Sequence, residues 1–209
     1  MANITPSIIS QEFTEIKDKI GRLEGLAPWV HLDVMDGKFV PPMTWSAPDD
    51  LKAVAGQIKV EVHLMTEKPE EILADWLLVA DRAVIHFEAT DCLADIIDRF
   101  KSSATAIGLA FKLETPVEDI FPYVEQVALI QLMSIAEIGY HGRPFDRRVL
   151  DKVKTLRRQF PDVIIQLDGG INLQTAPEAA SAGADNLIVG SAVWQSDNLP
   201  ATLTSLQKI

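Results

Sequence analysis

Trp29-Val30-His31-Leu32-Asp33-Val34-Met35-Asp36-Gly37 and Lys59-Val60-Glu61-Val62-His63-Leu64-Met65 are the stretches that decide how this chain folds. Both are short apolar runs rich in strand-forming residues, and the first ends on an Asp-Gly turn signal. A period of two puts His31, Asp33 and Met35 on one face of the first strand, and His63 and Met65 on one face of the second. A third segment, Leu167-Asp168-Gly169-Gly170, also follows an apolar run. Two imidazoles and two carboxylates are thus delivered to the ends of three separate strands. If the shared face is the inside of a barrel, the four groups converge, and they are the raw material of a metal site.

Outward from these stretches, short apolar runs alternate with stretches of helical spacing. Ile4 to Ser10 reads as a strand, followed by Phe13, Ile16, Ile20 and Leu23 at intervals of three and four, with Ser10 available as an N-cap. Pro69 suits the first turn of a helix carrying Ile72, Leu73, Trp76 and Leu77. Ala83 to Ala89 precedes Leu93, Ile96, Ile97 and Phe100; Ala106 to Phe111 precedes a short segment opening at Pro116; Val127 to Ile135 precedes Val149, Leu150, Val153 and Leu156. Val163 to Leu167 leads into a helix capped by Asn172 and ended near Gly183, and Asn186 to Val193 leads into a last helix over Leu199 to Leu206.

At 209 residues and 47% hydrophobic content the chain can bury a large core, and with no linker-like stretch the expectation is one domain over 1–209. The net charge of -11, from 19 basic and 30 acidic residues, argues against a nucleic-acid surface. Apolar runs stop well short of the roughly 18 residues a membrane span needs, so no membrane partner is expected. The single Cys92 cannot close an intrachain disulfide, and Met1-Ala2-Asn3-Ile4-Thr5-Pro6 lacks a charged region followed by an apolar one; both fit a cytoplasmic location.

Eight strand-helix units spaced roughly 20 to 30 residues apart are the sequence image of an α/β fold closed into a (β/α)8 barrel, which needs about 200 residues. An open doubly wound sheet competes, but Ser7-Ile8-Ile9-Ser10-Gln11 stands where its Gly-x-Gly-x-x-Gly turn belongs. In such barrels the chemistry sits at the C-terminal ends of the strands, where the His and Asp residues lie.

Pro6-Ser7-Ile8-Ile9-Ser10, His31-x-Asp33-x-Met35-Asp36-Gly37-x-Phe39-Val40-Pro41, Val62-His63-Leu64-Met65, Leu167-Asp168-Gly169-Gly170-Ile171 and Gly190-Ser191-Ala192-Val193 resemble the ribulose-phosphate 3-epimerase family, in order and over nearly the whole chain. The second motif is the specific one; Asp-Gly-Gly and Gly-Ser-Ala recur among phosphate-binding barrels. The resemblance implies a metal-dependent epimerase of the pentose phosphate pathway interconverting D-ribulose 5-phosphate and D-xylulose 5-phosphate. It also implies the ligand set His31, Asp33, His63 and Asp168, with Asp33 and Asp168 as the two bases.

The residues make physical sense of that reaction. Inverting a carbon beside a ketone means removing its proton on one face and returning one on the other, which takes two acid/base groups. The enediolate left by proton removal needs strong stabilisation, which one divalent metal ion supplies as a Lewis acid. An N2O2 set without thiolates suits zinc, iron, manganese or cobalt alike. By resemblance, Met35, Met65 and Met133 form an apolar cushion beneath the enediolate, core packing being the competing reading for each. Ser7 bonds a substrate hydroxyl by the same resemblance, or is simply a turn residue. His86 and Glu88 share parity at the end of the fourth strand and read as supporting or structural.

Phosphate recognition is expected from glycine turns, which bind a dianion without net positive charge. Gly169, Gly170, Gly190 and Ser191 resemble two of three family elements. The third, an Asn-Pro-Gly-Phe-Gly-Gly-Gln loop in the family, here reads Ala136-Glu137-Ile138-Gly139-Tyr140-His141-Gly142-Arg143, so that Gly139 and Gly142 keep part of its glycine content. Glu137 facing inward would repel a phosphate, whereas His141 and Arg143 would attract one, and solvated loop charges are the competing reading. Lys38, Pro42 and Phe111-Lys112-Leu113-Glu114 also depart from the family pattern. Two alternatives stay open: an epimerase of another ketose, such as a six-carbon ketose phosphate, and a sugar-phosphate-binding barrel without turnover. Decarboxylases of related barrels use Asp-x-Lys-x-x-Asp, and Asp33-Val34-Met35-Asp36 supplies no lysine. Apolar residues on the barrel helices leave room for a homo-oligomer.

Overall fold

Eight parallel strands pair in chain order and close on themselves: β1 (Asn3–Ile8), β2 (Trp29–Met35), β3 (Lys59–Met65), β4 (Arg82–His86), β5 (Ala106–Phe111), β6 (Ile130–Met133), β7 (Ile165–Asp168) and β8 (Asn186–Val189), with β8 returning to β1. This is the expected (β/α)8 barrel. The computed structural model describes residues 2–209. Around the barrel lie α1 (Phe13–Leu23), α2 (Leu73–Trp76), α3 (Leu93–Phe100), α4 (Arg148–Gln159), α5 (Ala176–Ala182), α6 (Ser191–Trp194) and α7 (Leu199–Leu206). The crossovers after β2 and β5 are 3-10 helical, over Pro48–Val54 and Val117–Gln126. Pro122 inside the second removes an amide donor that an α-helix would use.

Several boundaries shift from expectation. The strand expected over Asn186 to Val193 stops at Val189, because Gly190 breaks the extended backbone at φ -96 and ψ -95 and Ser191–Trp194 coils into α6. Likewise β1 ends at Ile8 and β6 spans only Ile130–Met133. Ser10 is not the N-cap of α1, which is Glu12; its hydroxyl instead accepts from Glu12 N–H at 3.1 Å and donates to Glu15 at 2.5 Å. Asn172 closes a turn one step before α5, accepting from Gln174 N–H at 2.8 Å and Thr175 N–H at 3.2 Å, and Thr175 is the N-cap.

Two kinds of packing result from the pleat. Outward residues such as Ile8, Leu32, Val34, Leu64 and Leu167 join the helix faces in one continuous core. Inside the barrel, Val84, Ala110 and Leu129 form a small apolar cluster on one side. The other side is polar: Glu61, Gln131 and Gln166 are fully buried, with Asn186 beside them. A barrel interior with four polar side chains is stable only if each finds a partner, and they do: Gln166 Nε2 donates to Glu61 at 2.6 Å and to Gln131 at 2.7 Å, and Asn186 Nδ2 to Gln166 at 3.2 Å. No helix among the described residues is long and apolar enough to cross a membrane.

Candidate active site

On the floor just described stand His31 and Asp33 from β2, His63 from β3 and Asp168 from β7, each one pleat step above an inward neighbour. One ligand atom from each lies within 4.8 Å of the others. His31 Nε2 is 3.4 Å from Asp33 Oδ1 and 3.6 Å from Asp168 Oδ2; His63 Nδ1 is 3.0 Å and 3.5 Å from the same two oxygens. The strand parity read from the sequence is thus realised. The two rings are fully buried and the two carboxylates nearly so.

The donor set fits a divalent cation. His31 Nε2 is buried without a hydrogen-bond partner, although it faces the carboxylates, and a buried polar atom left unpaired is otherwise costly. Its other nitrogen, Nδ1, donates to Glu61 at 2.6 Å, which orients the ring and aims Nε2 at the cluster. Glu61 is itself paired to the Arg82 guanidinium. Although burial pushes its pKa up, His31, Arg82 and Gln166 hold Glu61 at about 2. Nitrogen and carboxylate oxygen donors without sulfur suit zinc, iron, manganese or cobalt.

The two aspartates are not equivalent. Burial raises the pKa of Asp33, but the two imidazoles beside it, His31 and His63, outweigh it and hold the carboxyl well below the usual range. Asp168 is pushed up to about 6 by burial and by the charge of Asp33. Gln131 Nε2 donates to its Oδ2 at 3.2 Å, tying the aspartate to the polar floor.

A cavity opens above the cluster at the C-terminal mouth. Among its lining residues are Ser7, Asp33, Met65, Met133, Gly139, Gly142, Asp168, Gly169, Gly170, Gly190 and Ser191, all anticipated from sequence. Ile9, Ile135, Tyr140, Ile171 and Ile188 complete the wall together with His141, the one of these six that the sequence reading had as attracting a phosphate. Met35 does not line it; the side chain is buried with Val40 and Met65. His63 does not line it either; its ring is fully buried. Gly170 has φ +68, and a Cβ there would sit 2.5 Å from Phe145 N, so only glycine fits this turn. At Gly190 a Cβ would meet His141 Nδ1 at 2.5 Å, which places the imidazole against the second glycine turn. Burial lowers the His141 pKa, against a rise from Asp33. Glu137 and Arg143 pair with each other at 2.7 Å on the surface, so neither charge faces the cavity in this structure.

Sequence reasoning missed Glu61, Gln131 and Gln166. The signal was present: each stands two residues before His63, Met133 and Asp168 respectively, and so on the same inward face.

A closed parallel barrel with convergent acid/base groups and glycine turns at its C-terminal mouth defines an enzyme of the (β/α)8 class. The ribulose-phosphate 3 epimerase family model matches residues 3–194. Ribulose-phosphate 3-epimerase of Schizosaccharomyces pombe is 34% identical over 99% of this chain and 92% of its own length. That of Bacillus subtilis is 35% identical over 96% of each, and the cytoplasmic isoform of Oryza sativa subsp. japonica is 32% identical over 99% of this chain and 93% of its own. This chain belongs to the ribulose-phosphate 3-epimerase family. It is accordingly an epimerase, an isomerase acting on carbohydrate. Among solved structures, a 3-hexulose-6-phosphate synthase superposes with a TM-score of 0.75 at 15% identity, over 99% of this chain and 98% of that one. Orotidine 5'-monophosphate decarboxylase from Sulfolobus solfataricus superposes with a TM-score of 0.67 at 13% identity, over 100% and 97%. At such identities the likeness is one of fold alone.

Proposed function

We propose that this chain, working as one barrel domain, interconverts D-ribulose 5-phosphate and D-xylulose 5-phosphate by moving the C3 proton between Asp33 and Asp168, with one divalent cation held by His31, Asp33, His63 and Asp168. The observation that carries this reading is the meeting of two carboxylates from β2 and β7 around one pair of imidazoles, at the wall of a cavity with glycine turns. Zinc, iron, manganese and cobalt are the candidate cations. Such a cation would act as a Lewis acid on the oxygens flanking the reacting carbon and stabilise the negative charge left there by proton removal.

The protein's own groups supply the rest. Asp33, the stronger acid, is ionised and takes the proton from one face of C3. Asp168, the weaker acid of the two, stands across the cluster and returns a proton to the other face. In the reverse direction the roles exchange. Met65 and Met133 give the reacting carbons an apolar, polarisable surround, and Met35 supports Met65 from behind. Ser7, at the end of β1, bonds a substrate hydroxyl. The turns at Gly169-Gly170 and Gly190-Ser191, with Gly139 and Gly142 of the facing loop, present backbone N–H groups to the phosphate.

Incubation with ribulose 5-phosphate in heavy water should yield xylulose 5-phosphate carrying deuterium at C3. The absence of both exchange and product would eliminate this substrate, and a parallel run with six-carbon ketose phosphates identifies the alternative. Chelation should abolish turnover and release a stoichiometric divalent ion, and re-addition should restore activity; full activity in metal-free protein rejects the cation.

A further inference from the structure

His63 is contacted on both ring nitrogens, and the two contacts differ in kind. Nδ1 faces the Asp33 and Asp168 carboxylates at 3.0 and 3.5 Å. Nε2 lies 3.0 Å from Nε2 of His86, the last residue of β4, and the two rings stack with centroids 5.0 Å apart. His86 Nδ1 in turn lies 3.1 Å from Glu88 Oε2. The other Glu88 oxygen accepts from Lys112 N–H at 2.8 Å and from the Thr115 hydroxyl, so the carboxylate is fixed by the backbone that follows β5. His86 is fully buried, with the Phe39 ring 4.9 Å away.

Two ring nitrogens at 3.0 Å share one proton, and the question is which ring carries it. Glu88 only accepts, so His86 Nδ1 bears a proton, and a neutral His86 then offers a lone pair at Nε2. Once a cation takes the place of the Nδ1 proton that Asp33 would otherwise accept, the shared proton is the one on His63 Nε2 and the Nδ1 lone pair is free to coordinate. The Gln131 amide does not decide the matter: its nitrogen is 3.3 Å from both ring nitrogens and donates to Asp168. We propose that Glu88 and His86 are positioning residues, a two-step relay that sets the His63 tautomer and so makes its Nδ1 available to a cation. His31 receives the same service from Glu61 in one step. The relay rests on the metal-centre reading of the same cluster and extends it to groups that touch neither cation nor substrate.

The test is Glu88→Gln. The variant keeps the shape, and its amide oxygen stays with the Lys112 and Thr115 donors, so its NH2 faces His86 Nδ1. That turns His86 into a donor at Nε2 and moves the His63 proton to Nδ1, where it blocks coordination. Zinc affinity, measured by competition with a chromophoric chelator, should fall ~10–100-fold while far-UV circular dichroism stays that of the native protein. Long-range proton-nitrogen spectra of zinc-loaded wild type should show the His63 proton on Nε2. At position 86, His86→Gln places an amide oxygen that can accept from His63 Nε2–H and should keep most of the affinity that His86→Leu loses. The relay is overturned if Glu88→Gln binds zinc as tightly as wild type, if the His63 proton is on Nδ1, or if glutamine and leucine at 86 bind equally weakly. A wild-type protein that takes up no zinc, iron, manganese or cobalt overturns the metal-centre reading itself, and the relay with it.

Discussion

Glu61→Leu should be among the most destabilising single substitutions inside the barrel. The Glu61 carboxylate is fully buried on β3, accepting from His31 Nδ1 at 2.6 Å and Gln166 Nε2 at 2.6 Å and pairing with the Arg82 guanidinium. Leucine is of similar bulk, so the loss is electrostatic: a buried imidazole and a guanidinium are left without their acceptor. Breaking a buried pair by removing one partner costs ~3–5 kcal/mol. The lower end applies here, because the Arg82 side chain is 14% exposed, stacks on Trp29 at 4.6 Å, and itself lines a cavity with Asn3, Trp29 and Asn186 toward which it can turn. At ~2–4 °C per kcal/mol for a chain of this length, a loss of ~3 kcal/mol lowers Tm by ~6–12 °C. Calorimetry and urea titration in the presence of a chelator measure this without a contribution from bound cation. The double variant Glu61→Leu/Arg82→Met removes the stranded guanidinium as well and should recover ~1–3 kcal/mol of the loss. A single variant losing less than ~1 kcal/mol, or a double variant that merely adds the two losses, would refute the reasoning.

The remaining expectations concern chemistry, the glycine turns and pH. Asp33→Asn and Asp168→Asn should each lower kcat by ~10²–10⁴-fold with the fold intact, because each removes one of two proton carriers; steady-state kinetics near the native rate for either would reject its role. Gly170→Ala forces a side chain into a backbone conformation at φ +68 and against Phe145, so the substrate KM should rise and stability should fall by ~1–3 kcal/mol, with an unchanged KM speaking against phosphate binding at this turn. Glu61 and Glu88 each titrate near 2 in the fold against an ordinary value of 4.5, in both cases because hydrogen bonds and charge outweigh burial. A carboxylate with a lowered folded pKa stabilises the native state fully above its unfolded pKa, and that contribution disappears as the pH falls through the folded one. From about pH 4 down to about pH 2 the urea midpoint should therefore decline steadily, and a flat profile over that range would contradict the two buried networks.

Alternation along β2 and β3 was enough to put His31, Asp33, His63 and both strand-end methionines on inward faces, and the structure reproduces those two strands to the residue. It did the same for β5 and α7, each bounded by clear turn or proline signals. Where the apolar run outlasts the ladder, as at Val127 to Ile135 or Asn186 to Val193, periodicity overestimates the strand, because hydrophobicity records burial and not hydrogen bonding. Within the candidate site, residue type and parity made the four-residue cluster legible. Parity also pointed Glu61, Gln131 and Gln166 inward, but nothing along the chain says that Gln166 reaches Glu61 across 105 residues. Closure sets that distance, as it does the choice of Met65 over Met35 for the cavity wall. The pleat makes each side chain's face a local property, fixed by counting in twos. Its depth in the barrel and the neighbour it meets depend on strand stagger around a closed circuit, which exists only once all eight strands have joined.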